Sequence, residues 1–130
     1  MINGFQEQTE PLTEYEETKL LPQIVRGLSL KVGKNNAVTN TAIVRGMKAN
    51  LNLKVSEPRV RKIINHIRNN DLVPCLIATS QGYYIAESEQ ELKEYEDSLL
   101  GREEAIHSVR MSIQRQRIRK YHHQQQELFQ

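Results

Sequence analysis

The chain has 130 residues, a formal net charge of +2 and a single cysteine. That length suits one modest domain with an appendage. The lone Cys75 excludes an internal disulfide and a cysteine-based zinc site, and no apolar run nears the length of a membrane span. With no tryptophan, two phenylalanines and five tyrosines, the core has to be built from Ile, Leu and Val. No signal-peptide pattern opens the sequence, so the expectation is a soluble, cytoplasmic protein. Cys75, in "LVPCLIA", reads as a buried, inert thiol.

The small net charge conceals blocks of one sign. Residues 1–25 carry a net −4, residues 26–68 a net +9, residues 69–104 a net −7 and residues 105–130 a net +4. Such blocks suggest a basic surface that meets a partner, or blocks that pair with one another.

In chain order, residues 1–12 show no period and read as a loose arm. "TEYE" at 13–16 is a capping box, with Thr13 and Glu16 satisfying each other's backbone. The helix it starts carries Leu20, Leu21, Ile24, Val25 and Leu28 on one face, and Pro22 inside it predicts a kink or a helix in two parts. "GKNN" at 33–36 ends that element. "AVT" at 37–39 reads as a short strand, and Thr39 as the N-cap of a short second helix bearing Ile43, Val44 and Met47. Residues 48–55 read as a connector whose Leu51, Leu53 and Val55 alternate inward. Ser56 caps a third helix, with Glu57 and Pro58 in its first turn, running to about Asn70. Val60, Ile63, Ile64 and Ile67 mark its buried face.

At residue 72 the period becomes extended. "LVPCLIATSQGYYIA" holds two apolar runs around "TSQG", which predicts a hairpin with Gly82 in the tight turn. Tyr83 and Tyr84 alternate faces, so one is expected in the core and the other exposed, and core packing is expected over base stacking for both. Ser88-Glu89-Gln90-Glu91 is a second capping box. No proline interrupts the chain from there to Tyr121, so a long helix is expected over 88–121, with a frayed tail over 122–130.

Three helices followed by a β-hairpin is the layout of a winged helix-turn-helix domain, here over 13–87. The expected fold class is therefore α+β, mainly α, with a long C-terminal helix. Residues 59–86, "RVRKIINHIRNNDLVPCLIATSQGYYIA", followed by an acid-rich helix, resemble a family of uncharacterised phage and prophage winged-helix proteins. "GYYIA" after "IATS" is the most distinctive piece. The resemblance covers roughly residues 13–115. It implies a winged-helix fold and DNA binding, and it brings no catalytic residues. It also implies a lysine at the hairpin tip, where this chain has Gln81.

On the third helix the apolar stripe sends Arg61, Lys62, Asn65, Arg68 and Asn69 to the opposite or flanking sides, with Arg59 and His66 nearer the boundary. Arg61, Asn65 and Arg68 are spaced i, i+4, i+7 and project in one direction. Lys and Arg neutralise phosphates, Arg grips guanine edge-on, and Asn pairs two-pronged with adenine. No acid follows Glu57 in this helix, so pairs within the helix do not neutralise these charges. Arg45 and Lys48, with Lys31, Lys34 and Lys54, extend the basic field. The competing account is a solvated helix face, because surface helices commonly carry Lys and Arg. The hairpin tip lacks Lys and Arg and offers only Ser80, Gln81 and backbone N–H groups to a phosphate.

In the last helix, Leu92, Leu99, Ile106 and Ile113 lie seven apart, with Tyr95 and Val109 at intervening positions and Arg102 and Gln116 breaking the seam. Leu99, Ile106, Val109 and Ile113 are the candidate oligomerisation residues. The helix is acidic first and basic later, which favours an antiparallel two-fold homodimer. The competing account is that the apolar seam docks on its own domain, which is the expectation for residues 92–99, and the basic half can alternatively touch nucleic acid.

No metal, phosphate-loop or nucleophile constellation is evident, and no cofactor or small-molecule ligand is expected. His122 and His123 diverge on a helix and form no ligand set with His66 and His107. The expected function is a non-enzymatic, double-stranded DNA-binding module with the third helix as major-groove reader. The alternative is a protein-assembly module in which the last helix recruits the partner.

Overall fold

The computed structural model describes residues 11–128, with side chains as far as His122. Its elements are a π-helical turn (Glu16–Leu20) running into α1 (Leu21–Leu28), a 3-10 turn (Lys34–Asn36), α2 (Asn40–Leu51), α3 (Glu57–Asn69), β1 (Leu76–Thr79), β2 (Gly82–Ile85) and α4 (Glu89–Leu128). The class is α+β and mostly helical, with one two-stranded antiparallel hairpin and a long final helix. The chain divides into two compact units between Leu92 and Lys93.

The capping box at 13–16 forms in both directions. Glu16 N–H donates to Thr13 Oγ1 (3.1 Å), and Thr13 N–H donates to Glu16 Oε1 (2.9 Å). The element expected to break at Pro22 does so by widening. Leu21 N–H donates to Glu16 O, five residues back, and Pro22 then sits in the first turn of α1. A proline there has no N–H to offer the preceding turn and its ring crowds that turn, so a π turn relieves both problems. The helix ends at Leu28, earlier than the expected boundary at "GKNN", which instead contributes the 3-10 turn.

Thr39 caps α2 by accepting from Ala42 N–H (3.1 Å). This helix runs to Leu51, so residues 48–51, expected as a connector, are helical and Leu51 is exposed. Asn52 stops it at φ +54, a left-handed conformation that asparagine tolerates. Leu53 and Val55 do pack toward the core. Ser56 caps α3 through Arg59 N–H (3.4 Å), and Thr41 Oγ1 donates to Glu57, tying the starts of α2 and α3.

The hairpin pairs Leu76 with Ile85, Ile77 with Tyr84, Ala78 with Tyr83 and Thr79 with Gly82, leaving Ser80-Gln81 as the loop. Gly82 is thus the first strand residue rather than part of the turn. The outer edge of β2 is also covered. Val38 and Tyr83 exchange both backbone bonds (3.0 and 2.8 Å), Gly33 N–H donates to Ile85 O, and Ile85 N–H donates to Lys31 O. The short strand expected at 37–39 is this bridge at Val38. The close approach needs Gly82, whose φ is +121° and where a Cβ would lie 2.5 Å from Val38 O.

Leu20, Ile24, Leu28, Met47, Val60, Ile63, Ile64, Ile67, Val73 and Leu76 form the core between the helices and the hairpin. Tyr84 is buried, while Tyr83 is half-buried with its hydroxyl donating to Asn40 Oδ1 (2.7 Å). Cys75, expected inside, is exposed at φ +65 in the turn before β1. Pro74 and the turn residues of 70–75 form the crossing from α3 to β1, so the apolar string around Cys75 is not a continuous strand.

In the second unit, α4 continues to Leu128, so residues 122–128, expected as frayed tail, are helical. Phe129 and Gln130 lie outside the described residues, as do residues 1–10 of the expected arm.

Candidate nucleic-acid interface

α3 presents its stripe inward: Val60, Ile63, Ile64 and Ile67 are each at most 1% exposed. The opposite side is not uniformly open. Lys62 points away from the stripe yet is only 4% exposed, because the segment Pro11–Glu16 lies over it. Its ammonium donates to the Pro11 carbonyl and lies 3.8 Å from Glu16 Oε1. Arg59 grips the same carboxylate with two N–H groups, and its side chain is 16% exposed. The expectation that Lys62 faces outward is thereby corrected, and Arg59 is committed to an internal pair. The acid absent from the helix is supplied from 43 residues upstream.

Glu16 therefore has two tasks, capping the first helix and neutralising two cations of α3. Burial by itself raises its carboxyl pKa. The Arg59 hydrogen bond, the Thr13 backbone N–H and the charges of Arg59 and Lys62 outweigh that effect and hold the group below its ordinary value. The sequence flagged Glu16 as a cap residue and gave no signal of its second role.

With those cations engaged, the open arc of α3 is Arg61, Asn65 and Asn69, all exposed, with Arg68 half-buried beside them. Among the described residues no ion pair holds Arg61. On α2, Arg45 and Lys48 are exposed, and Lys48 Nζ donates to Asn52 Oδ1 (3.1 Å). At the hairpin tip Ser80 and Gln81 are exposed, but the Gln81 N–H already donates to Thr79 Oγ1 (3.1 Å). That leaves the Gln81 side chain for an outside partner.

A cleft of ≈ 580 Å³ opens beside this region, with Leu20, Val44 and Val55 on its walls. The charges at its edge, buried Glu16 and half-buried Arg59, are already paired with each other. Among the described residues no group of three His, Cys, Asp or Glu side chains is placed to hold a metal ion, and no helix is long and apolar enough to cross a membrane.

In the second unit the four candidate oligomerisation residues are all solvent-facing on α4. Leu99 is 37% exposed, Ile106 70%, Val109 63% and Ile113 56%.

Comparison with protein-family models, with curated proteins and with solved structures gives no match. The resemblance of residues 59–86 to phage winged-helix proteins therefore rests on the sequence pattern alone.

Proposed function

We propose that the first unit is a non-enzymatic, double-stranded DNA-binding module of winged-helix type, with α3 as the element that enters the major groove. The observation that carries this reading is the pairing of Arg61 and Asn65 one turn apart on the open arc of α3, backed by a stripe that is fully buried. A helix held by aliphatic packing on one side and by the Glu16 clamp on another presents its remaining arc in a fixed direction, which groove reading requires. Arg61 and Asn65 are suited to base edges. Arg68, Asn69, Arg45 and Lys48 supply phosphate contacts. Pairing of the Lys31–Val38 segment with β2 gives the hairpin a third strand-like edge, which supports the winged-helix assignment. The hairpin tip contributes little charge, so the wing plays a minor role and contacts come through Gln81.

The reading is tested by binding of the full chain to random-sequence duplex DNA across a salt titration. Binding should weaken steeply as salt rises. The Arg61→Ala/Asn65→Ala/Arg68→Ala variant should lose at least about tenfold in affinity while its unfolding transition stays cooperative. Binding that is absent at low salt, or is untouched in the folded triple variant, removes the proposal and leaves the assembly reading.

A further inference from the structure

The apolar stripe of α4 is exposed, and the charges beside it state what covers it. Leu99, Ile106, Val109 and Ile113 lie on one face of the 40-residue helix. On one shoulder of that face stand Glu96, Glu103, Arg110 and Arg117, seven residues apart and all exposed. Among the described residues Arg110 reaches to His107 on its own helix, 3.3 Å away. The shoulder is therefore acidic in its first two positions and basic in its last two.

We infer that α4 binds a second copy of itself, antiparallel, about a two-fold axis beside Ile106–His107. Turned about that axis, Glu96 faces the partner's Arg117 and Glu103 faces the partner's Arg110, each pair occurring twice. These shoulder positions flank an antiparallel seam and meet their own kind across it, so their signs decide orientation. The same axis brings Ile106 and Val109 of both copies together at the centre. Leu99 and Ile113 follow on either side, where the aliphatic stems of Arg102 and Gln116 cover apolar surface and carry their polar ends out to water. A parallel pair fails on the same residues. It sets acidic half beside acidic half, and it lays Arg115, Arg117, Arg119 and Lys120 beside their own copies.

Most helical stability comes from packing an apolar face, and pairing removes the exposed stripe of α4 from solvent. The other chemistry the basic half suggests, contact with nucleic acid, leaves the apolar stripe and the acidic half uncovered. The inference stands whether or not α3 binds DNA.

The test uses the full chain and sedimentation equilibrium. Glu96→Arg/Glu103→Arg gives an all-basic shoulder and Arg110→Glu/Arg117→Glu an all-acidic one. Each variant alone should dimerise at least about tenfold more weakly than the parent, and an equimolar mixture should restore a dimer. Orientation is read by spin-label distances in a Cys75→Ser background, since Cys75 is exposed. Labels at Ser108 should lie within about 5 Å of each other along the axis and labels at Ser98 about 25 Å apart, at about 1.5 Å per residue. A parallel dimer would bring both pairs to the same short separation. A monomeric parent chain, a parallel distance pattern, or a mixture that stays monomeric would each overturn the inference.

Discussion

α3 and α4 each carry an aliphatic stripe at helical spacing, and only one stripe is buried. Val60, Ile63, Ile64 and Ile67 are at most 1% exposed, whereas Leu99, Ile106, Val109 and Ile113 are 37–70% exposed. The sequence pattern is the same in kind. The difference is what lies opposite: α3 packs with α1, α2 and the hairpin within its own unit, while the four residues of the α4 stripe are solvent-facing. Periodicity tells which face of a helix is apolar, and burial depends on whether a second layer exists to receive it.

The largest way to break this comparison is to truncate one residue in each stripe. Ile63→Ala should cost about 3 kcal/mol in denaturant unfolding, through lost transfer energy and the cavity left behind. Ile106→Ala, measured at a protein concentration below self-association, should leave the midpoint unchanged. Equal losses at both positions would mean that the two stripes are equivalent after all.

The second contrast lies within α3, between the clamped cations Arg59 and Lys62 and the exposed Arg61. Glu16→Ala removes the carboxylate that neutralises Arg59 and Lys62 in partly or wholly buried sites and should cost about 2–3 kcal/mol. The same carboxylate makes stability depend on pH. Its folded-state pKa lies below the ordinary 4.5, so its contribution is fully present above that value and is lost as pH falls through the folded-state value. Unfolding free energies measured from neutral pH down through the carboxylate range should fall less steeply in Glu16→Gln than in the parent.

A smaller effect sharpens the account of the hairpin. Gly82→Ala adds a Cβ against the Val38 carbonyl at a positive φ and should cost about 1–2 kcal/mol. If the hairpin edge were free, only the cost of the positive φ would remain. Smallest of all should be Arg61→Ala, within about 0.5 kcal/mol of the parent stability, because an exposed side chain outside any network contributes little.

Local signals in the sequence were legible and specific. Thr13, Thr39 and Ser56 each cap the helix that their position announced, and Ser88 accepts from Glu91 N–H (3.2 Å) at the start of α4. The interruption at Pro22 and the hairpin around Ser80-Gln81 follow from backbone chemistry within a few residues. Long-range pairings were not legible. Lys62 faces away from the aliphatic stripe, and only the passage of Pro11–Glu16 over that side makes it a buried group. Glu16 and Arg59 are 43 residues apart, with nothing local in either segment to name the other. Cys75 misled for the opposite reason: apolar neighbours suggested burial, but the turn between α3 and β1 leaves its side chain outside. The candidate site was therefore legible as a helix and a field of charge, while the choice among its cations required the fold.

That choice is also where the functional account is most exposed to test. The direct measurement is the salt dependence of duplex DNA binding for the parent chain, Arg61→Ala and Lys62→Met. Removing one cation from the DNA interface makes the dependence of log K on log salt less steep, by at most about 0.9. Arg61→Ala should show a reduced slope with weakened binding, and Lys62→Met should keep the parent slope despite a less stable fold. An unchanged slope for Arg61→Ala together with a reduced one for folded Lys62→Met would contradict the account.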